Sequence, residues 1–373
     1  MRAKEAIQKY FDALLDIKVY LEADYFKHLR QGPGVCAWDK GREFYKSVLE
    51  WHLSLPLTPE EVHQIGLDEI DRISKQIYLV LNRLGYHRSS REAIDAIMED
   101  SKFYLKTGEE IIARLKQIIH NEIEPKMYLM FKNLPGLPVE VHPMPIDGCG
   151  GQYHTGTPDG SIPGIFQVNI MHPEQKPTLG FMALALHETY PGHHLQHSVQ
   201  LLADIPKFRR HGLDEKYFQA PLMFPFTNAF LEGWALYAEA LGEEMGLYTD
   251  DYQLLGRYYS EVFRACRLVV DTGMHYLNWT REDAKEFMLK NTGLPEHTVD
   301  IEINRYITWP GQACSYKIGE LKIKELRNKA TKTLGKMFDL KEFHSVLLAH
   351  GPLPLSLLEK FVDQWIDSLT EGN

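Results

Sequence analysis

A mainly α-helical fold with one small β-sheet is what this sequence predicts, on three observations. Helix-start signals followed by apolar residues at three- and four-residue spacing recur through most of the 373 residues. β-like runs are confined to 134–177, where many glycines and prolines also lie. A hydrophobic content of 44% in a chain of this length suffices for a large core, as one domain or as two that share one.

The elements follow in chain order. Thr58-Pro59-Glu60-Glu61 starts a helix: Thr58 caps, Pro59 suits the first turn and Glu61 takes the capping-box position. Val62, Ile65, Ile70, Ile73, Ile77 and Leu81 then recur at roughly helical spacing. Thr107-Gly108-Glu109-Glu110 opens another helix, with Ile111, Leu115, Ile118 and Ile119 on one face, and Thr280-Arg281-Glu282-Asp283 opens a third. Between them Val139–Met144 and Ile165–Ile170 read as strands, with Asp147–His154 as a glycine-rich loop. Thr178 is placed to cap a helix through Phe181–Leu186, and Asp339–Leu348 and Leu355–Ile366 form a terminal helical pair split by Gly351-Pro352-Leu353-Pro354. There is no internal repeat, and the candidate division falls near residue 135. It gives a helical region over 1–134 and a region over 135–373 with the sheet and the later helices.

The formal net charge of −10 argues against nucleic acid as the main partner, because a surface that tracks phosphates needs clustered Lys and Arg. Cys36, Cys149, Cys266 and Cys314 are far apart and form no CxxC pair, so reduced thiols are expected rather than a cysteine metal site. The first 20 residues alternate charged and apolar positions, so no signal peptide is read, and no apolar stretch is long enough to span a bilayer. The cytoplasm is therefore the default location, with export expected if a longer N-terminus precedes this start.

The chemistry gathers at His187-Glu188-Thr189-Tyr190-Pro191-Gly192-His193-His194, which ends an apolar run. In a zinc-peptidase helix of the form HExxH, two His four residues apart share one face and reach one ion at about 2.0–2.1 Å, while the Glu takes a proton from water. Here the fourth residue after His187 is Pro191, which can neither bind metal nor donate the helical hydrogen bond. His194 would share the face of His187 in a regular helix, but seven residues rise about 10.5 Å, too far for one ion. A break at Pro191-Gly192 is required. It would act as a two-residue insertion and bring His193 to the second-ligand place, with His194 as the alternate.

Downstream, Glu232-Gly233-Trp234-Ala235-Leu236-Tyr237-Ala238-Glu239 supplies a third ligand of the two-His-one-Glu type in Glu232. Glu239 lies on the same helical face and is placed to hold a ligand His from behind. Arg267, Asp271 and His275, spaced by four, form a buried Asp–His pair that orients a ligand, a group in which His275 donates to an oxyanion, or a plain salt-bridged face. Tyr316, at the start of a helix, is the other oxyanion candidate or else a packed aromatic. Ile165–Asn169 reads as an edge strand able to pair with an extended peptide, or as ordinary core sheet.

Four ordered blocks, HETYPGHHLQ (187–196), EGWALYAE (232–239), RLVVDTGMH (267–275) and PGQACSYKIG (310–319), resemble the domain-of-unknown-function family numbered 885. Leu57–Glu61, Gly148–Gly156 and the tail from Phe343-His344 to Leu353-Pro354-Leu355 fit the same pattern, so the resemblance runs over nearly the whole chain. It implies a zincin-like metallopeptidase architecture, and members that are usually longer at the N-terminus and often exported. The Glu-Gly-Trp-Ala-Leu-Tyr segment also resembles the third-ligand segment of aminopeptidase-type gluzincins. Gly192-His193 resembles the Gly-His ending the HExxH of oligopeptidases, which favours His193 over His194.

The expectation is thus a zincin-like helical fold with a small sheet beside the active-site helix, holding one zinc on His187, His193 and Glu232. Glu188 is the general base, His275 or Tyr316 the oxyanion donor, and a peptide or small amide the substrate. Two alternatives stay open: a metal-dependent hydrolase of a non-peptide amide or ester, and a non-catalytic binding protein that keeps the fold.

Overall fold

Capping chemistry sets the helix starts that the sequence marks. In the computed structural model, which describes residues 2–29, 32–87, 89–148, 150–210 and 227–370, Thr58 accepts from the Glu61 N–H while Glu61 accepts from the Thr58 N–H at 2.8 Å. The N-terminal helices are α1 (Arg2–Ala23), α2 (Gly41–Leu53), α3 (Pro59–Arg83), α4 (Ser90–Met98) and α5 (Gly108–Gln117), the last capped by Thr107. The middle ones are α6 (Phe181–Glu188), α7 (His193–Leu202), α8 (Lys207–Arg210), α9 (Asn228–Glu244) and α10 (Asp251–His275). Then come α11 (Arg281–Asn291), with Thr280 and Asp283 in a capping box, α12 (Glu296–Thr308), α13 (Ser315–Leu334), α14 (Leu340–Ala349) and α15 (Leu355–Thr370).

The apolar faces go where the spacing puts them. Val62, Ile70, Ile73, Ile77 and Leu81 of α3 are buried against α10, which lies alongside. Close approach there needs Gly66, where a Cβ would stand 2.7 Å from a Val269 methyl. Ile111, Leu115, Ile118 and Ile119 join a second core with Leu186, Leu195, Phe230 and Trp234, on which the histidine-rich segment is mounted. α9 packs along α13 through paired glycines, since a Cβ on Gly233 would fall 2.4 Å from the Gly319 backbone.

Three strands form one sheet in the order β1 (Val139–Pro143), β3 (Gly164–Val168), β2 (Gly151–His154). β3 pairs parallel with β1 and antiparallel with β2. One open alternative closes here and one expectation changes. The segment through Ile165 and Phe166 is the central strand, the core-sheet alternative, and part of the expected glycine-rich loop is the edge strand β2. The glycine that suggested a loop is a packing residue: a Cβ on Gly151 would lie 2.6 Å from the Phe166 ring. Thr178 does not cap α6 either. It begins a short 3-10 turn, and the helix starts after Gly180.

Cys36, Cys266 and Cys314 are free thiols, and Cys149 lies outside the described residues. No helix among the described residues is long and apolar enough to cross a membrane.

Candidate metal centre

α6 is apolar around most of its circumference, so it is buried nearly throughout and carries His187 and Glu188 into the interior. The helix ends there. Thr189 leaves helical geometry, the Tyr190–Pro191 peptide is cis, and α7 begins at His193. Gly192 is required at the break, because a Cβ would stand 1.9 Å from the His187 carbonyl oxygen. Its N–H donates to the Leu186 carbonyl at 3.0 Å, and the Trp234 indole donates to the Pro191 carbonyl at 2.9 Å. This closes the gap that a regular helix would leave between His187 and His193, whose ring centroids are 5.0 Å apart at 89°.

Glu232 of α9 completes the group. Ligand atoms of His187, His193 and Glu232 all lie within 4.8 Å of one another. Glu232 Oε2 is 3.6 Å from His187 Nε2 and 3.5 Å from His193 Nε2, and this buried oxygen has no hydrogen-bond partner among the described residues. Three ligands on a tetrahedral ion with bonds of about 2.0–2.2 Å stand roughly 3.3–3.6 Å apart. The two Glu232–His separations match that edge length, the His187–His193 separation lies within 4.8 Å, and two imidazoles with a carboxylate are donor types that zinc takes.

Behind His187, Glu239 Oε1 holds Nδ1 at 2.8 Å, leaving Nε2 turned toward Glu232. Glu239 in turn accepts from Ser260 Oγ at 2.6 Å and lies 3.5 Å from Arg264 Nη2. Burial disfavours a charged His187, but Glu232 and Glu239 outweigh it and raise its pKa to about 9. Burial likewise works against an ionised Glu232, yet His187 and His193 hold it well below the ordinary carboxylate range. Two buried carboxylates thus demand a positive charge between them, as protons or as a metal ion.

Glu188 is 6% exposed. Burial pushes its carboxyl up, opposed by His187 and His193, which suits a base that must pick up a proton. Tyr316, at the start of α13, stacks beside His187 with centroids 6.2 Å apart and 18° between planes. Its hydroxyl oxygen accepts from Arg305 Nη2 at 3.0 Å, so its own proton is free to be donated elsewhere.

His275 does not join this group. Its Nε2 donates to the Tyr306 carbonyl at 2.9 Å, its Nδ1 accepts from the Val35 N–H at 3.2 Å, and its ring stacks on Tyr45. With both nitrogens spent on backbone it cannot serve an oxyanion, and it ties α10 to α12 and to the segment before α2. Asp271 is likewise structural, accepting from the Tyr45 hydroxyl and the Gly311 N–H. His194 also turns away: Tyr153 meets its Nδ1, and the Leu137 carbonyl and Tyr190 meet its Nε2. Arg305 escaped the sequence reading. The remaining member of the spaced trio, Arg267, lies with its guanidinium 4.5 Å from the Tyr316 ring centre.

A family described as a bacterial protein of unknown function (DUF885) matches residues 1–362. Among solved structures the chain is similar to the "putative lipoprotein from Colwellia psychrerythraea", with 39% identity and a TM-score of 0.83 over 90% of this chain and 57% of that one. It is also similar to the "putative lipoprotein of unknown function from Shewanella oneidensis", at 18% identity and a TM-score of 0.70 over 96% of this chain and 64% of that one. The chain therefore spans less than two thirds of the length of either relative. No curated protein matches it.

Proposed function

The chain belongs to the DUF885 family, and on that premise we propose that it is a zinc-dependent amide hydrolase, a peptidase of zincin-like architecture. The observation that carries the reading is the trio His187, His193 and Glu232, converging on an unpartnered carboxylate oxygen with Glu239 bracing His187 from behind. His187, His193 and Glu232 would hold the ion. When bound, zinc would supply Lewis-acid polarisation of the scissile carbonyl and acidify water.

The protein's own groups do the rest. Glu188 accepts a proton from the attacking water and returns it to the departing nitrogen. Tyr316, its oxygen held by Arg305, donates its proton to the oxygen that gains charge as the carbonyl is attacked. Peptide is favoured as the substrate because β2, an edge strand among the described residues, packs against α6 and can pair with an extended backbone. The names of the two solved relatives favour the exported alternative over the cytoplasmic default.

The test is zinc content by elemental analysis, together with hydrolysis of a peptide library. Wild type is expected to hold one zinc per chain. His187→Ala, His193→Ala and Glu232→Ala should lose it and His194→Ala should keep it. Glu188→Gln should keep the metal and lose about 10²–10⁴-fold in turnover. Wild-type protein that takes up no zinc would sink the proposal.

A further inference from the structure

Beside Tyr316 the interior holds more positive charge than it answers. Arg267 and Arg305 both face Glu302: Arg267 Nη2 donates to its carboxylate at 2.9 Å and Arg305 Nη1 lies 3.7 Å away. Glu302 also accepts from the Tyr306 hydroxyl at 2.7 Å. Two guanidiniums thus share one carboxylate. Three buried donors there have no acceptor among the described residues: Arg267 Nη1, Arg305 Nε and Gln312 Nε2. Arg267 and Gln312 are 3% and 1% exposed, so bulk water does not satisfy them. Gln312 Oε1 accepts from Arg305 Nη2 at 2.8 Å, and Arg305 and Arg267 meet at Glu302, which ties the three side chains into one cluster. A buried donor left unpaired costs about 1–3 kcal/mol, more when charged, so three in one place beside uncompensated positive charge call for an anion.

We infer that this cluster, resting on the hydrolase reading above, receives a substrate carboxylate next to the scissile bond. The substrate class is an amide whose leaving half is an α-amino acid with a free carboxylate: the C-terminal residue of a peptide, or an N-acyl amino acid. Reach supports this. The Tyr316 oxygen is 3.0 Å from Arg305 Nη2 and one hydrogen bond from the carbonyl it serves. One residue spans about 3.3–3.6 Å, so a carboxylate one residue beyond the attacked carbonyl arrives at the guanidinium. A carboxylate accepts strong hydrogen bonds from guanidinium N–H groups, and Arg267 Nη1 and Arg305 Nε are the ones left open, one on each arginine. In the reaction the C–N bond breaks, the water oxygen joins the carbonyl carbon, and the departing nitrogen takes the proton from Glu188, releasing a free amino acid.

The test pairs N-benzoyl amino acids with the matching amides. Calorimetry on metal-free protein should show the preferred acid binding about 10-fold or more tighter than its amide. The gap should close in Arg305→Met and be partly kept in Arg305→Lys. Equal binding, no binding of any acid, or a gap that survives in Arg305→Met overturns the inference. The zinc-loaded protein is then given a tetrapeptide library with free and with amidated C-termini. Release of single C-terminal residues from the free acids alone supports the inference. Cleavage indifferent to amidation overturns it and leaves the peptidase standing. Acid-selective binding without cleavage of any substrate does the reverse: the anion site stands and the hydrolase falls.

Discussion

Two buried polar clusters lie within the same helical framework, and they are built on opposite principles. Around Lys317, which is wholly buried, Glu69, Glu261 and Glu320 stand at 2.6–2.8 Å. Arg72, Arg257 and Lys324 close the outer side, so every carboxylate lies within ion-pair distance of a cation. Around Glu232 the order is inverted. Two imidazole nitrogens stand 3.5–3.6 Å from one carboxylate oxygen, too far for strong hydrogen bonds, and that oxygen has no partner among the described residues. The first cluster carries its own countercharges and reads as structure. The second lacks a fixed cation at its centre, and its unpartnered oxygen between two imidazoles is the feature on which the proposed metal site rests.

The sharpest way to break the comparison is to unbalance the satisfied cluster. Lys317→Met strands Glu69, Glu261 and Glu320 around an apolar side chain. Removing one partner from a buried ion group costs about 3–5 kcal/mol, read as a lower midpoint in denaturant unfolding. Lys317→Met/Glu320→Gln should recover part of that loss. If Lys317→Met unfolds at the wild-type midpoint, the cluster does not hold the fold, and the contrast between the two regions collapses.

How far each cluster was legible in the sequence follows from where its information lies. His187, Glu188 and Glu232 stand in short segments whose spacing implies a shared ion. The required break at Pro191-Gly192 could be argued from the proline alone, because no regular helix joins those histidines on one metal. His275 went to the wrong role because i, i+4 spacing fixes a shared helical face but not what that face meets; here it meets Tyr45, Val35 and Tyr306. Arg305 lies in α12 and reaches Tyr316 only through the tertiary fold. Lys317 sits in a segment, Lys317–Lys324, whose charges look solvated from the sequence, although its charge is the most deeply buried of the group. The third strand was hidden because a glycine that packs under an aromatic ring looks like a glycine that turns.

The unsatisfied cluster is sharpened by supplying its missing charge. Zinc in excess at 100 times its Kd should stabilise wild type by about 2.7 kcal/mol in thermal or denaturant unfolding, and should do nothing for Glu232→Ala. Glu239→Gln gives the finer reading. It removes the carboxylate at 2.8 Å from His187 Nδ1 without touching the trio, so zinc should still bind, about 10–100-fold more weakly by competition with a chelator. Zinc affinity unchanged in Glu239→Gln would mean that Glu239 only holds helices together.

The smallest effect tests whether burial, rather than charge alone, makes the Lys317 cluster matter. Arg72 pairs with Glu69 at 2.7 Å and also reaches Glu261, yet its side chain is 44% exposed. Water and salt screen it in a way they cannot screen Lys317, and Glu261 keeps Lys317 and Arg257 as partners when Arg72 is gone. Arg72→Gln should therefore cost no more than about 1 kcal/mol, and that cost should shrink further in high salt. A loss as large as that of Lys317→Met would show that Glu261 depends on the outer cation as much as on the inner one. The network would then be one indivisible unit rather than a buried core with a solvated rim.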